Sequence, residues 1–536
     1  MVYRNGGEPT LTGNETGTSR MTDILTDLAS RLGAKLALID DRPNGHEVTW
    51  TFAELEAWAN RLARSLVALG VRPKDRVVSC GQNSCWLVAM SNAARKIGAV
   101  GVPLNYRLTA EEAAYVVDDS DAVLIFADAE FADFFAKIRP STPKVREILI
   151  FDGAPAAGQT QVAPLLARQA PAPPELKEPA GEPLTMIYTS GTTGKPKGAV
   201  RSSLGNPAQS ALLWTEIGYV PDDVYITTGP LYHSGPGGFL ATAHRQGHTA
   251  VLQHKFDEAD WLRLVQTYRV TTTFAAPTPI RRLCQLPEEV FRRYDVSSMA
   301  RMVANAAPWS FALKQLYLSR FPKNSLFEVY GSTELGVNTL LRPEHQLAKP
   351  GSCGRPAPGV EIALFDETGA RVTKPHGEGE LFVRSANMFS TYHKAHEKFM
   401  ADRRDDFQTV GDIAYFDEEG FYYICDRKKD MIISGGMNIY PAEIEAALEG
   451  HPDIADVAVF GIPDDEWGEA VHAVVVARPA AALTQDQITT FARSRLAGYK
   501  VPRSYSFASE IPRTGSGKIL KRDLRKPYWE GRKSRV

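Results

Sequence analysis

The chain is poor in the features that mark secreted, membrane or nucleic-acid-binding proteins. It has five cysteines in 536 residues, at 80, 85, 284, 353 and 425. None forms a C-x-x-C pair and the count is odd. That argues against a disulfide framework or a structural zinc site and fits a reducing cytoplasm. No run of about 18 or more apolar residues occurs, so no transmembrane helix is expected. Residues 1–20 carry Gly, Thr and Asn where a signal peptide needs an apolar segment. They read as a disordered tail, with Met21 as the functional start. A net charge of -2 provides no overall field toward nucleic acid or a membrane surface. Only the C-terminus is locally basic. Between Lys518 and Val536 the acids are Asp523 and Glu530. Such a run is ordinarily a solvated tail; its functional alternative is help with an anionic ligand.

What is present is ordinary in bulk. Hydrophobic residues make up 43% and charged residues 23%, as in globular proteins. The length suggests three or four structural units. Apolar residues Ile24, Leu25, Leu28 and Leu32 predict a helix. Val48–Thr51 predicts a strand, and Thr51-Phe-Ala-Glu54 a capping box opening a helix that stops at Gly70. Strands are expected at Arg76–Ser79, Val100–Pro103 and Ala122–Phe126, with helices at Ser84–Ile97 and after the capping box Thr109–Glu112. Ala154–Pro183 reads as a surface connection. The alternation resumes with Val224–Thr227, a helix after Gly237, Ala250–Leu252, Glu258–Tyr268, Thr272–Phe274 and Pro279–Leu286. Alternating strands and helices imply parallel βαβ units and an α/β domain. After about residue 345 short strands predict a small β-unit, such as a barrel. From Asp430 a compact α+β segment of about a hundred residues follows, long enough to fold alone.

One stretch organises the rest: Tyr188-Thr-Ser-Gly-Thr-Thr-Gly-Lys-Pro-Lys-Gly-Ala-Val200. A short buried strand precedes it. Its glycines let backbone N–H groups turn toward an anion, while its hydroxyls and lysines add donors and charge. That chemistry suits a polyphosphate. It is not a Walker A loop, because Pro196 follows Lys195 where Ser or Thr should stand. The string resembles, almost residue for residue, the phosphate loop of the adenylate-forming acyl-CoA synthetase superfamily. Further motifs in that family's order carry the resemblance from about residue 30 to 525. They are Pro230–Pro236, Asn305–Pro308, Glu328-Val-Tyr-Gly-Ser-Thr-Glu334, Val410-Gly-Asp412, Asp426–Asp430, Ser434–Ile444 and Pro512–Ile519.

The resemblance implies a fold and a set of roles. The fold is α/β: a large N-terminal domain of two doubly wound α/β halves plus a small β-barrel, at 21–428, and a mobile α+β C-terminal domain at 429–536. Thr189, Ser190, Gly191, Thr192, Thr193, Gly194 and Lys195 would hold phosphates. Asn305, Ala306, Ala307, Tyr330 and Gly331 would line the adenine site, with Tyr330 stacking. Thr333 would meet the α-phosphate, Glu334 would hold Mg²⁺, and Asp412 and Arg427 would bind ribose. Asn305 departs from the family, where a second Gly is usual. His233 would position the acyl carboxylate, which needs no deprotonation at neutral pH. Lys429 would be the hinge, and Gly435 and Gly436 would border a pantetheine tunnel. Lys518 would be the catalytic lysine, acting with Glu334, Thr189 and His233.

The implied activity is ATP-dependent ligation of a carboxylic acid to coenzyme A through an acyl-adenylate, releasing AMP and pyrophosphate. Segments such as Ala497–Arg503 and Pro527–Glu530 resemble bacterial fatty-acid and sterol-side-chain CoA ligases. A medium- or long-chain fatty acid is therefore the expected substrate. Alternatives are a sterol, bile-acid or aryl acid, an adenylation enzyme loading a carrier protein, and a non-catalytic nucleotide-binding protein. The expected setting is cytoplasmic, without nucleic acid. Peripheral membrane contact and a homodimer stay open.

Overall fold

The computed structural model describes residues 23–189, 195–202, 205–305, 307, 309–435, 437–479, 481–513 and 519–530. The expected tail at 1–20 and Met21 lie outside them. Two mixed sheets dominate the large part of the chain. The first has eight strands in the spatial order Thr391–Tyr392, Lys197–Ser202, Leu184–Thr189, Val100–Pro103, Arg76–Cys80, Ala122–Asp128, Glu147–Phe151 and Thr160–Gln161. The second has nine: Arg355–Pro356, Gly336–Leu341, Leu326–Ser332, Arg301–Ala304, Thr272–Ala275, Val224–Thr227, Thr249–Val251, Leu36–Asp41 and Glu47–Thr51. Pairing is parallel in the interior of both sheets and antiparallel at edges such as Leu184–Thr189 with Lys197–Ser202. These are the doubly wound halves that the alternation of strands and helices implies.

Local signals work where they are local. Glu54 N–H donates to Thr51 Oγ1 at 3.2 Å, and Thr51 N–H to the Glu54 carboxylate at 2.8 Å. The same reciprocal pair closes at Thr109 and Glu112. Each pair satisfies two otherwise orphaned N–H groups of a helix start.

Non-local pairing departs from simple chain order. Leu36–Asp41 pairs in parallel with Thr249–Val251, Leu38 facing Ala250. The first hairpin thus belongs to the second sheet, and the two halves interleave. Ala37, Leu38 and Ile39 are buried on both faces of that strand, so it lacks the polar alternation that marks a strand. Within Ala154–Pro183, read as a bare connection, a strand at Thr160–Gln161 and a helix at Val162–Ala167 form, burying Val162 and Leu166.

The small β-unit is a five-stranded antiparallel sheet of Glu361–Phe365, Gly379–Arg384, Arg403–Arg404, Phe407–Phe416 and Tyr422–Arg427. The C-terminal unit has its own five-stranded sheet, with Gly468–Ala477 at its centre and Ile454–Asp464 paired along it at one edge. Helices Pro441–Glu449 and Gln485–Arg493 bury Ile444, Leu448, Ile488 and Ala492 against Val457, Val459 and Val475. The last helix, Lys521–Trp529, is pinned by Trp529 Nε1, which donates to the Gly461 carbonyl at 3.1 Å. Among the described residues no helix is long and apolar enough to cross a membrane.

Candidate active site

The phosphate-loop string is flanked by an antiparallel pair. Tyr188 faces Gly198 and Thr189 faces Lys197 across it. The helix Ala110–Asp119 braces both flanks. Tyr188 OH donates to Asp119 Oδ2 at 2.7 Å, and Tyr115 OH to the Pro196 carbonyl at 3.3 Å. Burial and the neighbouring Asp119 push the Tyr188 hydroxyl well up, so it remains a donor. The Lys195 ammonium lies 4.9 Å from the Tyr115 ring centre. Ser190, Gly191, Thr192, Thr193 and Gly194 lie outside the described residues.

Glu334 follows the strand Leu326–Ser332, which turns back antiparallel into Gly336–Leu341. The turn is tight. A Cβ on Gly331 would stand 2.0 Å from the Gly336 carbonyl oxygen, so only glycine fits. The Glu334 side chain is buried, yet its Oε1 accepts from Thr189 Oγ1 at 2.9 Å and from Tyr392 OH at 3.1 Å. Thr333 Oγ1 lies 2.7 Å from Ser234 Oγ. Arg201 donates to the carbonyls of Thr333 at 2.8 Å and Asn387 at 3.1 Å. Burial lowers its pKa although the Glu334 charge opposes that.

A second group sits on the small β-unit and the same turn. Asp412 and Arg427 are cross-strand partners, with Arg427 Nε 3.4 Å from Asp412 Oδ1. Tyr330 OH donates to Asp412 Oδ2 at 2.5 Å. Burial and the Asp412 charge push the Tyr330 hydroxyl well up. Burial opposes the Arg427 charge, but Asp412 and its neighbours outweigh it and raise that pKa. Tyr330 thus ties this group to Thr333 and Glu334, three and four positions on.

The remaining residues are more scattered. His233 precedes the helix Ser234–Arg245, its ring centre 4.3 Å from that of Tyr232. Asn305 follows the strand Arg301–Ala304, and its N–H donates to the Ala275 carbonyl at 3.1 Å. Ala307 is half-buried; Ala306 lies outside the described residues. Gly435, at φ +57°, leaves no room for a Cβ, which would fall 2.6 Å from the Trp467 ring. Gly436 and Lys518 are also outside the described residues. Lys429 is held by burial below the usual lysine value, opposed by the adjacent Asp430 charge. Asp430 in turn pairs with Arg525 of the last helix at 3.0 Å.

Arg201, Ser234 and Tyr392 were not singled out from the sequence. Ser234 has a local signal, its place beside His233. Arg201 and Tyr392 have none, because they reach Thr333 and Glu334 only through strand pairing.

The donor set fits magnesium-bound nucleotide. Among the described residues no cluster of three or more His, Cys, Asp or Glu is arranged for a metal. Mg²⁺ needs none, because it usually takes one or two carboxylates and fills its other positions with water and substrate phosphate. Glu334 offers one hard oxygen donor beside the phosphate-loop flank. Asp412 and Arg427 offer an acceptor and a fork of donors for hydroxyl and phosphate groups.

Comparisons with known proteins follow the same lines. The family model described as "AMP-binding enzyme" matches residues 25–393, and "AMP-binding enzyme C-terminal domain" matches 443–518. The chain is 35% identical over 484 residues to a feruloyl-CoA synthase of Amycolatopsis sp, covering 89% of this chain and 94% of the relative. It is 34% identical over 485 residues to a long-chain-fatty-acid–CoA ligase of Mycobacterium tuberculosis, covering 90% and 94%. The crystal structure of ATP-bound MatB from Rhodopseudomonas palustris superposes with a TM-score of 0.83 at 29% identity, covering 95% of this chain and 99% of that one.

Proposed function

The chain belongs to the AMP-binding enzyme family and is an ATP-using acyl-CoA ligase; from there we propose that it activates a medium- or long-chain fatty acid in the cytoplasm, with Mg²⁺ held at Glu334. A carboxylate is a poor electrophile. Attack of its oxygen on the α-phosphorus of ATP expels pyrophosphate and forms an acyl-adenylate. The CoA thiolate then displaces AMP at the acyl carbon. The first step gathers negative charge, so the enzyme needs positive charge and donors fixed in advance.

The residues divide the work accordingly. Thr189 and Thr333 present hydroxyls to the phosphates, joined by Ser190–Lys195. Asp412 and Arg427 take the ribose, and Tyr330, Gly331, Asn305, Ala306 and Ala307 surround the base. His233 positions the acid. Lys518 serves the first step, and the loop holding Gly435 and Gly436 serves the second after rotation about Lys429. Mg²⁺ supplies charge neutralisation on the phosphates.

The observation carrying this reading is the convergence on Glu334. Thr189, from the phosphate-loop flank, donates to its carboxylate at 2.9 Å, 145 positions away in sequence. The fatty-acid preference rests on the M. tuberculosis relative and on the C-terminal segments. An aryl acid is the second reading, favoured by the feruloyl-CoA synthase at 35% identity. A panel of fatty, aryl and sterol-side-chain acids, assayed for AMP release with CoA present, tests it. Highest kcat/KM on fatty acids is expected; preference for cinnamic-type acids would replace the fatty-acid reading with the aryl one.

A further inference from the structure

Tyr392 reaches Glu334 across 58 positions of sequence, and the backbone around it is built to deliver it. Thr391–Tyr392 is a two-residue strand paired antiparallel with Lys197–Ser202, Thr391 facing Val200 and Tyr392 facing Ala199. Ser390 N–H donates to the Val200 carbonyl at 2.7 Å, and His393 N–H to the Gly198 carbonyl at 2.8 Å. On the other side Phe389 N–H donates to the Glu334 carbonyl at 2.7 Å. Residues 389–393 therefore bond both to the residue that carries the carboxylate and to the strand that leaves the phosphate loop. The Tyr392 ring packs edge-on against Phe389 at 4.8 Å. Behind it, Asp121 anchors His393 at 3.1 Å and Lys394 at 2.9 Å.

We infer that Tyr392 is a positioning residue for Glu334, setting the orientation of its carboxylate before nucleotide and cation arrive. The inference rests on the reading of Glu334 as the magnesium ligand. Thr189 and Tyr392 both donate to Oε1, and a carboxylate oxygen has two lone-pair sites. A cation must therefore be met by Oε2 or displace a donor. With the Tyr392 donor removed, Thr189 alone restrains the carboxylate's terminal torsion, and the added freedom is lost again on binding. Partners that hydrogen-bond a ligating side chain typically change metal affinity by about 10–100-fold.

The test uses full-length Tyr392→Phe, which keeps the ring against Phe389 and removes only the hydroxyl. Mn²⁺ binding is titrated by electron paramagnetic resonance in the presence of a non-hydrolysable ATP analogue, for wild type, Tyr392→Phe and Glu334→Gln. Mn²⁺ affinity is expected to fall roughly 10-fold in Tyr392→Phe. The Mg²⁺ requirement for adenylation rises in step, with KM for the acid and the thermal midpoint unchanged. Wild-type Mn²⁺ affinity in Tyr392→Phe, with affinity lost in Glu334→Gln, overturns the role of Tyr392 and leaves Glu334 as the ligand. Retained affinity in Glu334→Gln overturns the ligand assignment itself. A lowered thermal midpoint with unchanged Mn²⁺ affinity makes Tyr392 structural and also overturns the inference.

Discussion

The site on the large part of the chain and the C-terminal unit are held together in different ways. In the first, side chains distant in sequence bind one another directly: Thr189 and Tyr392 on Glu334, Tyr330 on Asp412, Ser234 with Thr333. These bonds fix donors and acceptors before any ligand binds. The C-terminal unit closes on its own apolar core and meets the rest through single polar contacts. Asp426 accepts from Ala442 N–H at 3.0 Å, Tyr440 OH donates to Glu378 at 2.6 Å, and Arg281 pairs with Glu449 at 3.4 Å. Each such bond contributes on the order of 1 kcal/mol, whereas an apolar core gathers many buried side chains into one unit. This points to a division of labour: one region is preorganised, and the other, we propose, moves as a body between the two half-reactions.

The largest effect is expected at Lys518. Lys518→Ala is expected to slow adenylation by about 3 kcal/mol of barrier, the scale of one preorganised donor. Thioester formation from supplied acyl-adenylate should survive far better. Equal loss in both half-reactions, followed in single-turnover experiments, would break the division.

Lys429→Pro comes next. Proline fixes φ and removes an N–H, so it should trap one orientation of the C-terminal unit. Acyl-adenylate should form near the normal rate while acyl-CoA release is selectively lost. Normal acyl-CoA release would show that no hinge is needed there.

Within the preorganised region, Gly331→Ala forces a Cβ to 2.0 Å from the Gly336 carbonyl. The turn must shift, and ATP affinity measured by calorimetry should fall more than the thermal midpoint does. An unchanged dissociation constant would show that the turn does not shape the nucleotide site.

The smallest effect concerns acid stability of the C-terminal unit. His472 is buried between Ser504, Ser506 and Tyr528, and burial lowers its pKa to about 4. The folded state holds it neutral, while the unfolded chain protonates near the usual histidine value. Its contribution is therefore complete above about pH 6.5 and is lost as pH falls toward 4. Thermal midpoints of wild type and His472→Gln should converge as pH is lowered through that window. Parallel curves would assign the acid sensitivity elsewhere.

How much of this was legible in the sequence follows from the range of each signal. Capping boxes at Thr51 and Thr109 could be read because they close within four residues. The family resemblance rests on contiguous strings, so Glu334, Asp412 and Arg427 stood out before any geometry. The strand Lys197–Ser202 was hidden in a Gly- and Lys-rich stretch that resembles a loop. Its identity as a strand comes from pairing on both sides, with Leu184–Thr189 and Thr391–Tyr392. Arg201 and Tyr392 went unseen for the same reason. A side chain whose partner lies 58 or 132 positions away leaves no periodicity to detect.

The central claim, two half-reactions through an acyl-adenylate, has a direct test. Enzyme, ATP, Mg²⁺ and a fatty acid are mixed without CoA, and pyrophosphate and bound acyl-adenylate are quantified before and after CoA is added. The expected result is about one equivalent of each before CoA, then conversion to acyl-CoA and AMP on its addition. Release of ADP, or no pyrophosphate until CoA is present, would contradict the account.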